Sequence, residues 1–442
     1  MKKILPISLL INAFLFLPIH AQYGPAGVGG EEENELGKPV NSLWLRAHDL
    51  LEDFNDGEEV DEWADFSDFG NDAVFPAGRT DLALPTLQAD TMNGHAWLNF
   101  NGNTFLEVPD DPSLDGGAGL AIFVVVNRNA YGGYPDTEFG EQSLVTKRKH
   151  WNAWSHIPAI SLDSTGLQHA YELRFEDIAD NPDNDKPFGH TITVYINGNL
   201  PDGSGQDVFT EYQYGSLDTT YLVGYVYNSN WGGTLRINGE VNSRPDRQEG
   251  NPNPIYVGTV INSSEPVYIG AAELDPPGNF GDNPDKDEPY PEATEDDWLQ
   301  ASIAEVIIYK GELDSTSTLL VENYLATKYS LYLVDSLRYY TDSLYIHDLI
   351  GIGTETGGDI QDVTSGDALG LEMLNGSLDN PKEYVIAAHN GIDNEYITEN
   401  IGVENMERWS RVWKMEKTGE LDATISFNFF EAGLALGSAS EY

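Results

Sequence analysis

The sequence predicts an all-β protein with a two-sheet sandwich and a second, smaller β domain behind it. Short segments that are apolar, or that alternate between apolar and polar residues, recur from about residue 40 to about residue 334. Glycine-rich turns and long acidic stretches separate these segments. Successive side chains of a strand point to opposite faces, so the pattern is typical of strands with a buried face. Many short strands joined by turns indicate two packed antiparallel sheets.

The candidate strands of the first domain differ in their pattern. Residues 119–126 are continuously apolar, as expected for a strand that is buried on both faces. Segments 190–198 and 234–239 each end in Asn-Gly, which is the strongest short signal for a hairpin turn. The remaining candidate strands are 43–46, 96–102, 267–270 and 303–309.

One segment of this domain, 314–331, is predicted to be helical. It begins with Asp314 and a serine, residues that cap helix N-termini. Leu320, Tyr324 and Leu325 fall on one face of the helix. We expect this helix to close the first domain, 41–334, by covering one end or edge of the sandwich.

The residue pattern changes after this helix, and residues 335–442 are predicted to form the second β domain. Its candidate strands are 348–353, 383–390, 408–416 and 423–429. The last of them alternates, and the sequence ends soon after it without a clear closing element. This leaves open whether the domain is incomplete, in a fragment or a truncated gene product.

Residues 1–21 have the features of a secretory signal peptide. Lysines open the segment, an apolar run follows, and Ala21 ends a cleavage site. The interrupted run is shorter than the ~20 apolar residues of a membrane span, so we expect cleavage near Ala21 and no membrane insertion. The mature chain is then secreted or held at the outer cell surface. Residues 22–40 are small, acidic and unpatterned, and we predict a flexible lead-in.

The composition excludes some partners and favours others. Of 442 residues 73 are acidic and 23 are basic, which gives a net charge of −50. Such a surface repels nucleic acid and anionic membranes but attracts divalent cations. The chain has no cysteine, so disulfides cannot stabilise it outside the cell. Stability must then come from apolar cores, to which metal ions can add. The acidity has two interpretations that stay open here: general acidity of a secreted surface protein, or a charge that serves metal sites.

The first domain resembles the laminin-G-like (concanavalin A-like) jelly-roll family. The segments that carry the resemblance, in order, are 43–46, 63–71, 97–102, 235–239, 267–270 and 303–308. The resemblance implies a jelly-roll sandwich that binds ligands, in many members with calcium at a rim of loops. The second domain is similar, over 348–353, 384–390 and 408–413, to a module that follows such sandwiches in surface proteins of gliding, polymer-degrading Gram-negative bacteria. That resemblance implies no particular ligand.

No catalytic motif is recognisable in the sequence. Sandwich glucanases place acids at alternate positions of one strand, in a Glu-x-Asp-x-x-Glu pattern, so that both carboxylates enter one groove. Glu59-Val-Asp61 begins in this way, but Ala64 stands at the position of the last acid. No nucleophile elbow, zinc-binding His pair or phosphate loop is present either. The nine histidines are scattered, with His150 and His156 the closest pair that a metal could join.

Two acidic segments are candidate calcium sites. They are Asp180-Asn-Pro-Asp-Asn-Asp185 and Asp282-Asn-Pro-Asp-Lys-Asp287, and both have the pattern Asp-Asn-Pro-Asp-x-Asp. Oxygen side chains at alternate loop positions can converge on one ion. The predicted calcium ligands are Asp180, Asp183, Asp185, Asp282, Asp285 and Asp287. The alternative is that both segments are solvated acidic turns shaped by Asn-Pro.

Aromatic residues beside amides and glycines are the candidate ligand contacts. A flat ring packs on the apolar face of a sugar while amides bind its hydroxyls. The predicted ligand-binding residues are Tyr131, Tyr134, Trp151, Trp154 and Trp231. Alternatively, these rings fill the core or anchor loops.

These patterns together predict a non-catalytic binding module. We expect it to recognise a glycan or a surface glycoprotein, with calcium assistance, in adhesion or substrate capture. Two alternatives remain open at this point: a glycoside hydrolase or lyase on the same sandwich, because one fold hosts many functions, and a structural spacer of a large adhesin. The sequence does not predict an oligomeric state.

Overall fold

In the part of the chain that the structure describes, the protein is all-β apart from one α-helix, so the predicted fold class is confirmed. The computed structural model describes residues 24–29, 39–80, 82–130, 139–148, 169–178, 189–199, 205–214, 217–230, 232–242, 258–272, 298–334, 340, 342–356, 359–366, 368–374, 380–397, 408–429 and 432–434. Among these residues, no helix is both long enough and apolar enough to cross a membrane.

The first domain is a sandwich of two antiparallel sheets. Its strands in chain order are β1 (Val40–Arg46), β2 (Glu62–Trp63), β3 (Ala73–Val74), β4 (Thr86–Met92), β5 (His95–Asn101), β6 (Leu106–Val108), β7 (Gly119–Arg128), β8 (Phe139–Arg148), β9 (His169–Ile178), β10 (Gly189–Asn199), β11 (Gly205–Tyr214), β12 (Thr220–Asn228), β13 (Gly232–Ile237), β14 (Glu240–Asn242), β15 (Thr259–Val260), β16 (Val267–Ile269) and β17 (Gln300–Lys310). The eight-stranded sheet has the order β14-β13-β12-β7-β17-β5-β4, with β1 also on β17. The nine-stranded sheet has the order β11-β10-β9-β8-β16-β6-β3-β2, with β15 also on β10.

Strand β7 shows how the eight-stranded sheet is buried on both faces. Val124 and Val126 lie in the core between the two sheets. Phe123 and Val125, on the other face, lie in a second apolar cluster outside the sandwich. This explains the continuous apolar run of β7, because neither face of the strand meets water.

Helix α1 (Ser315–Lys328) covers the outer face of the eight-stranded sheet. Asp314 caps its N-terminus by accepting a hydrogen bond from the backbone N–H of Ser317 at 2.7 Å, as the sequence indicates. The predicted face residues of the helix, Leu320 among them, lie in the second apolar cluster. The helix was expected to cover an end or edge of the sandwich; it covers a face instead, because the outward side chains of this sheet are themselves apolar.

The second domain is a small β unit behind this helix. Its strands are β18 (His347–Thr354), β19 (Ile360–Gln361), β20 (Val363–Gly366), β21 (Leu369–Met373), β22 (Glu383–His389), β23 (Tyr396–Ile397), β24 (Arg408–Trp409), β25 (Trp413–Thr418) and β26 (Ala423–Phe427). They form sheets of order β19-β18-β22-β25, β20-β21-β26 and β23-β24. Side chains of the first two sheets, such as Ile352 and Leu371, share a core of their own. Leu349 and Ile386 instead join the cluster around α1, so the helix packs between the two domains.

Part of the predicted lead-in is packed rather than flexible. Residues 25–27 form a 3-10 turn, and Ala26 and Val28 belong to the cluster around α1. The carbonyl of Ala26 accepts a hydrogen bond from the Thr364 hydroxyl at 3.3 Å, so the segment joins the second domain as well. The sequence does not reveal this, because the apolar partners of Ala26 and Val28 lie far along the chain.

We expect Gly27→Ala to destabilise the protein more than Gly57→Ala does. Both glycines have a positive φ, at 74° and 80°, so both substitutions strain the backbone. A Cβ on Gly27 would lie 1.6 Å from the Thr364 hydroxyl oxygen, whereas a Cβ on Gly57 would meet nothing within 4 Å. Overpacking adds about 1–3 kcal/mol. Denaturant unfolding of both variants measures the difference, and equal losses would contradict tight packing of this turn.

Candidate functional site

The outer face of the nine-stranded sheet, turned away from the core, carries ionisable side chains at its centre. On β9, Leu173 and Phe175 lie in the core between the sheets. Because side chains alternate along a strand, Glu172 and Arg174 lie on the outer face. The same alternation places Tyr195 there, since its neighbours on β10 face the core.

These outward side chains form one connected group, the outer-face network of Ser143, Glu172, Arg174 and Tyr195. The Ser143 hydroxyl donates to Oε1 of Glu172 at 2.7 Å. Nη1 of Arg174 lies 3.9 Å from the same carboxylate oxygen. Nη2 of Arg174 donates to the Tyr195 hydroxyl at 2.9 Å, and its guanidinium carbon is 4.4 Å from the centre of the Tyr195 ring. Carboxylate, guanidinium, hydroxyl and ring are thus held in one place.

Burial makes the network rigid and strengthens its electrostatic interactions. The side chains of Glu172 and Arg174 are 0% and 2% exposed, and Tyr195 is partly exposed. A buried charge requires an opposite charge or hydrogen bonds to offset its lost hydration. Here Glu172 and Arg174 offset each other, while Tyr195 gives the network a more accessible edge. Hydrogen-bonding groups beside a ring are the chemistry that binds a hydroxyl-rich ligand.

All residues predicted to bind calcium or ligand lie outside the described residues. These are Tyr131, Tyr134, Trp151, Trp154, Trp231, Asp180, Asp183, Asp185, Asp282, Asp285 and Asp287, and the same holds for His150 and His156. The strand ends that flank their segments are described.

Both acidic segments are flanked by strand ends at one end of the sandwich, here called the acid end. Segment 179–188 follows Ile178 of β9, which pairs with Phe139 of β8. Segment 273–297 precedes Gln300, whose N–H donates to the Gln142 side chain at 3.3 Å. Phe139 and Gln142 are only about 10 Å apart along β8. The segment with Tyr131 and Tyr134 leads into β8 at this same end.

The tryptophan segments are flanked by strand ends at the opposite end, here called the ring end. Segment 149–168 lies between Arg148 and His169, which pair in register. Trp231 follows the end of β12, where the N–H of Ser229 donates to the carbonyl of Ala118 at 2.8 Å. Next to Ala118, the carbonyl of Gly117 accepts a hydrogen bond from the N–H of Val260 in β15. Strand β15 in turn pairs with the last residues of β10. Ten-residue β8 separates the two ends by about 30 Å.

A buried lysine fixes the ring end. Nζ of Lys147 donates to Asp110 at 2.6 Å and to the carbonyl of Glu265 at 3.0 Å, and lies 3.7 Å from Asp115. Burial raises the pKa of Asp115, and the nearby Lys147 opposes this rise. The lysine therefore joins three segments of chain at the rim from which the tryptophan segment 149–168 leaves.

Two glutamates occupy directly opposite positions near the acid end. The backbone register pairs Glu141 of β8 with Glu176 of β9. Residues directly opposite in an antiparallel pair have Cβ atoms about 4.5–5.5 Å apart. The Glu59–Asp61 segment, by contrast, precedes the two-residue strand β2.

The outer-face network was not predicted, because β8 and β9 were not among the strands expected from the sequence. The signal that could have revealed it is the segment Glu172-Leu-Arg-Phe-Glu176, in which charged and apolar residues alternate. Among the residues that the structure describes, no group of three or more His, Asp or Glu side chains is arranged to hold a metal ion.

No protein-family model matches the sequence, and a search of curated proteins gives no significant match. Several solved β-rich structures are similar to parts of the fold. The botulinum neurotoxin serotype G binding domain has 11% identity and a TM-score of 0.37, covering 80% of this chain and 74% of its own. The serotype D ligand binding domain, solved with N-acetylneuraminic acid, has 13% identity and a TM-score of 0.33, covering 86% and 78%. Domain 4 of a Geobacillus stearothermophilus GH43 arabinanase, solved with arabinotriose, has 12% identity and a TM-score of 0.33, covering 64% and 98%. These TM-scores are too low to assign the chain to any of these families.

Proposed function

We propose that the protein is a non-catalytic glycan-binding module of an exported protein, with the ligand on the outer face of the nine-stranded sheet. Calcium assists at the acid end, through the two Asp-Asn-Pro-Asp segments. The ligand is a glycan or the sugar of a surface glycoprotein, and the role is adhesion or substrate capture. The module then acts outside the cell, after removal of the signal peptide near Ala21.

The observation that carries the proposal is the contrast between the two outer faces of the sandwich. The outer face of the eight-stranded sheet is apolar and covered by α1, so it has no room for a ligand. The outer face of the nine-stranded sheet carries the outer-face network, in which Glu172 and Arg174 are buried and Tyr195 is partly exposed. A sugar offers many hydroxyls and one apolar face, and Tyr195 offers a hydroxyl and a ring to match them.

The strand ends around this face support the proposal. The ends of β8 and β9 that flank residues 149–168 lie at the ring end, and the ends of β9 and β10 that flank residues 179–188 lie at the acid end. Oxygen side chains at alternate positions of an acidic segment are ligands that calcium prefers.

We expect Tyr195→Ala to weaken glycan binding about tenfold. A ring that loses about 50–60 Å² of contact with a sugar costs about 1.4 kcal/mol, which is a tenfold change in the dissociation constant. A glycan array with calcium identifies a ligand, and titration calorimetry of that ligand measures the variant. The control is Tyr332→Ala, which removes the same side chain at a position that is 62% exposed and lies beyond the helix.

Each outcome of this experiment bears on the proposal. Weaker binding by Tyr195→Ala and unchanged binding by Tyr332→Ala support the outer face as the site. Wild-type affinity in Tyr195→Ala would place the ligand elsewhere. An array without any bound carbohydrate would favour the structural spacer.

The register of Glu141 and Glu176 keeps a glycoside hydrolase as the second candidate. Such enzymes use two carboxyl groups about 5–9 Å apart, one as acid and the other as base or nucleophile. Opposite positions on adjacent strands satisfy the backbone part of this requirement. Release of reducing ends from the bound glycan, lost in both Glu141→Gln and Glu176→Gln, would establish the hydrolase and overturn a purely binding role.

A further inference from the structure

Four histidines from distant parts of the chain meet where the two domains join. His48 follows β1 and His95 begins β5, in the first domain, and their ring centres are 4.7 Å apart. His347 begins β18 and His389 ends β22, in the second domain, and their rings stack at 5.6 Å. The ring centres of His95 and His347 are 6.2 Å apart, so the contact crosses from one domain to the other. This group is called the histidine junction.

Cations from both domains and from the helix surround the histidine junction. Lys328 of α1 is paired with buried Glu305 at 2.8 Å, and Arg46 of β1 is bonded to Asp49 at 2.6 Å. Nε2 of His389 lies 2.6 Å from Asp348, whose side chain is 46% exposed. The charged groups facing the junction, element by element, are Arg46 of β1, Asp49 after it, Glu305 of β17, Lys328 of α1, Asp348 of β18 and Arg411 before β25.

We propose that the histidine junction is an acid-sensitive latch, which holds the second domain on the sandwich at neutral pH and releases it as the solution becomes acidic. Neutral rings can pack edge to face or stack across the seam. Protonated rings at the same spacing repel one another and the neighbouring lysine and arginines. The sandwich itself has its own core and does not depend on these contacts.

Local electrostatics give the direction of the effect. Burial lowers the pKa of His95 to about 3, and the charges of Lys328, His48 and His347 contribute to this shift. Burial also lowers the pKa of His48 and of His347. A histidine released into water has its ordinary pKa near 6.5. The joined state therefore binds fewer protons than the released state once the pH falls below about 6.5.

The sign of the pH dependence follows from these shifts. The stabilisation from a lowered histidine pKa is fully present above about pH 6.5 and is lost as the pH falls towards the joined-state value. Asp348 acts in the same direction at lower pH. Partial burial alone would raise its pKa, but the hydrogen bond and charge of His389, with Arg46 and Lys328, hold it well below its usual range. Acidification therefore weakens the junction at every pH below about 6.5.

Hydrogen exchange measured by mass spectrometry on the full mature chain tests the latch. Between about pH 6 and about pH 4.5, His95 alone should raise the opening constant about tenfold per pH unit, after correction for intrinsic exchange. Loss of protection should be confined to peptides from β18, β22 and α1, while peptides from β9 and β10 stay protected. In His95→Gln the slope should be reduced, because one titrating ring is gone.

His190→Gln is the matched control, since His190 lies on β10 of the other sheet and should leave the slope unchanged. His347→Gln, at a partly exposed position, provides a second test if His95→Gln folds poorly. Equal loss of protection in β9 and in β18 would mean general acid unfolding and would overturn the latch. An unchanged slope in both junction variants would overturn it as well.

Discussion

We expect Glu305→Ala to lower the free energy of unfolding by about 3–5 kcal/mol, because it leaves buried donors and a buried cation without a partner. The Glu305 side chain is 0% exposed. Its carboxylate accepts hydrogen bonds from the Trp44 indole at 2.5 Å, the Tyr324 hydroxyl at 2.9 Å and the Tyr329 hydroxyl at 2.7 Å. It also pairs with Lys328 at 2.8 Å.

The loss should exceed that of an ordinary surface substitution because of where the carboxylate lies. Glu305 is on β17, and its partners come from β1, from α1 and from Tyr329 directly after it, so one side chain ties the helix to the outer face of the sheet. Without it Lys328 must remain buried as an uncompensated charge or move away and disturb the helix.

Glu312→Ala is the matched control, since Glu312 is exposed at the end of the same strand region. A surface change of this kind usually stays within about 0.5 kcal/mol. Urea unfolding of both variants measures the difference. A Glu305→Ala variant as stable as Glu312→Ala would mean that the helix is held by apolar contacts alone.

Calcium should raise the melting temperature by about 5 °C or more if the acidic segments bind it. A ligand that binds only the folded state adds RT ln(1 + [L]/Kd), about 2.7 kcal/mol for one site at free calcium 100 times the dissociation constant. For a domain of this size each kcal/mol shifts the midpoint by about 2–4 °C. The net charge of −50 makes any relief of self-repulsion favourable as well.

Screening by salt must be separated from specific binding. Melting is therefore followed with millimolar calcium and with sodium chloride of equal ionic strength. Asp183→Ala with Asp285→Ala should abolish the calcium effect. Asp53→Ala with Asp61→Ala removes the same charge at exposed positions and should preserve it. Equal shifts in calcium and in sodium chloride would leave the two segments as solvated acidic turns.

Local patterns in the sequence predict the local features of this fold well. The apolar run of β7 predicts a strand that is buried on both faces, and the structure confirms it. Asp314 predicts the start of α1, and the spacing of Leu320, Tyr324 and Leu325 predicts its buried face. In each case the physical cause, an alternation or a cap, involves residues that are near one another in the chain.

Features that depend on distant contacts could not be predicted in this way. The apolar side chains on one face of α1 predict burial of that face alone, whereas every residue from Thr316 to Lys328 is buried because the helix packs between the two domains. His95 and His347 meet only because two domains pack together, and no spacing in the chain encodes that. The outer-face network required the register of β8, β9 and β10, which follows from pairing between strands and not from any one of them.

Coverage of the eight-stranded sheet by α1 also has a consequence for the order of folding. The surface on which the helix rests exists only after β1 has paired with β17, where the Ser42 hydroxyl bonds the carbonyl of Ile308 across 266 residues of chain. Closing so long a loop is slow compared with forming a hairpin. The second domain should therefore be the last part to gain its native contacts during refolding. Until then the apolar outer side of the sheet is open to other chains, so aggregation in that interval should increase with protein concentration.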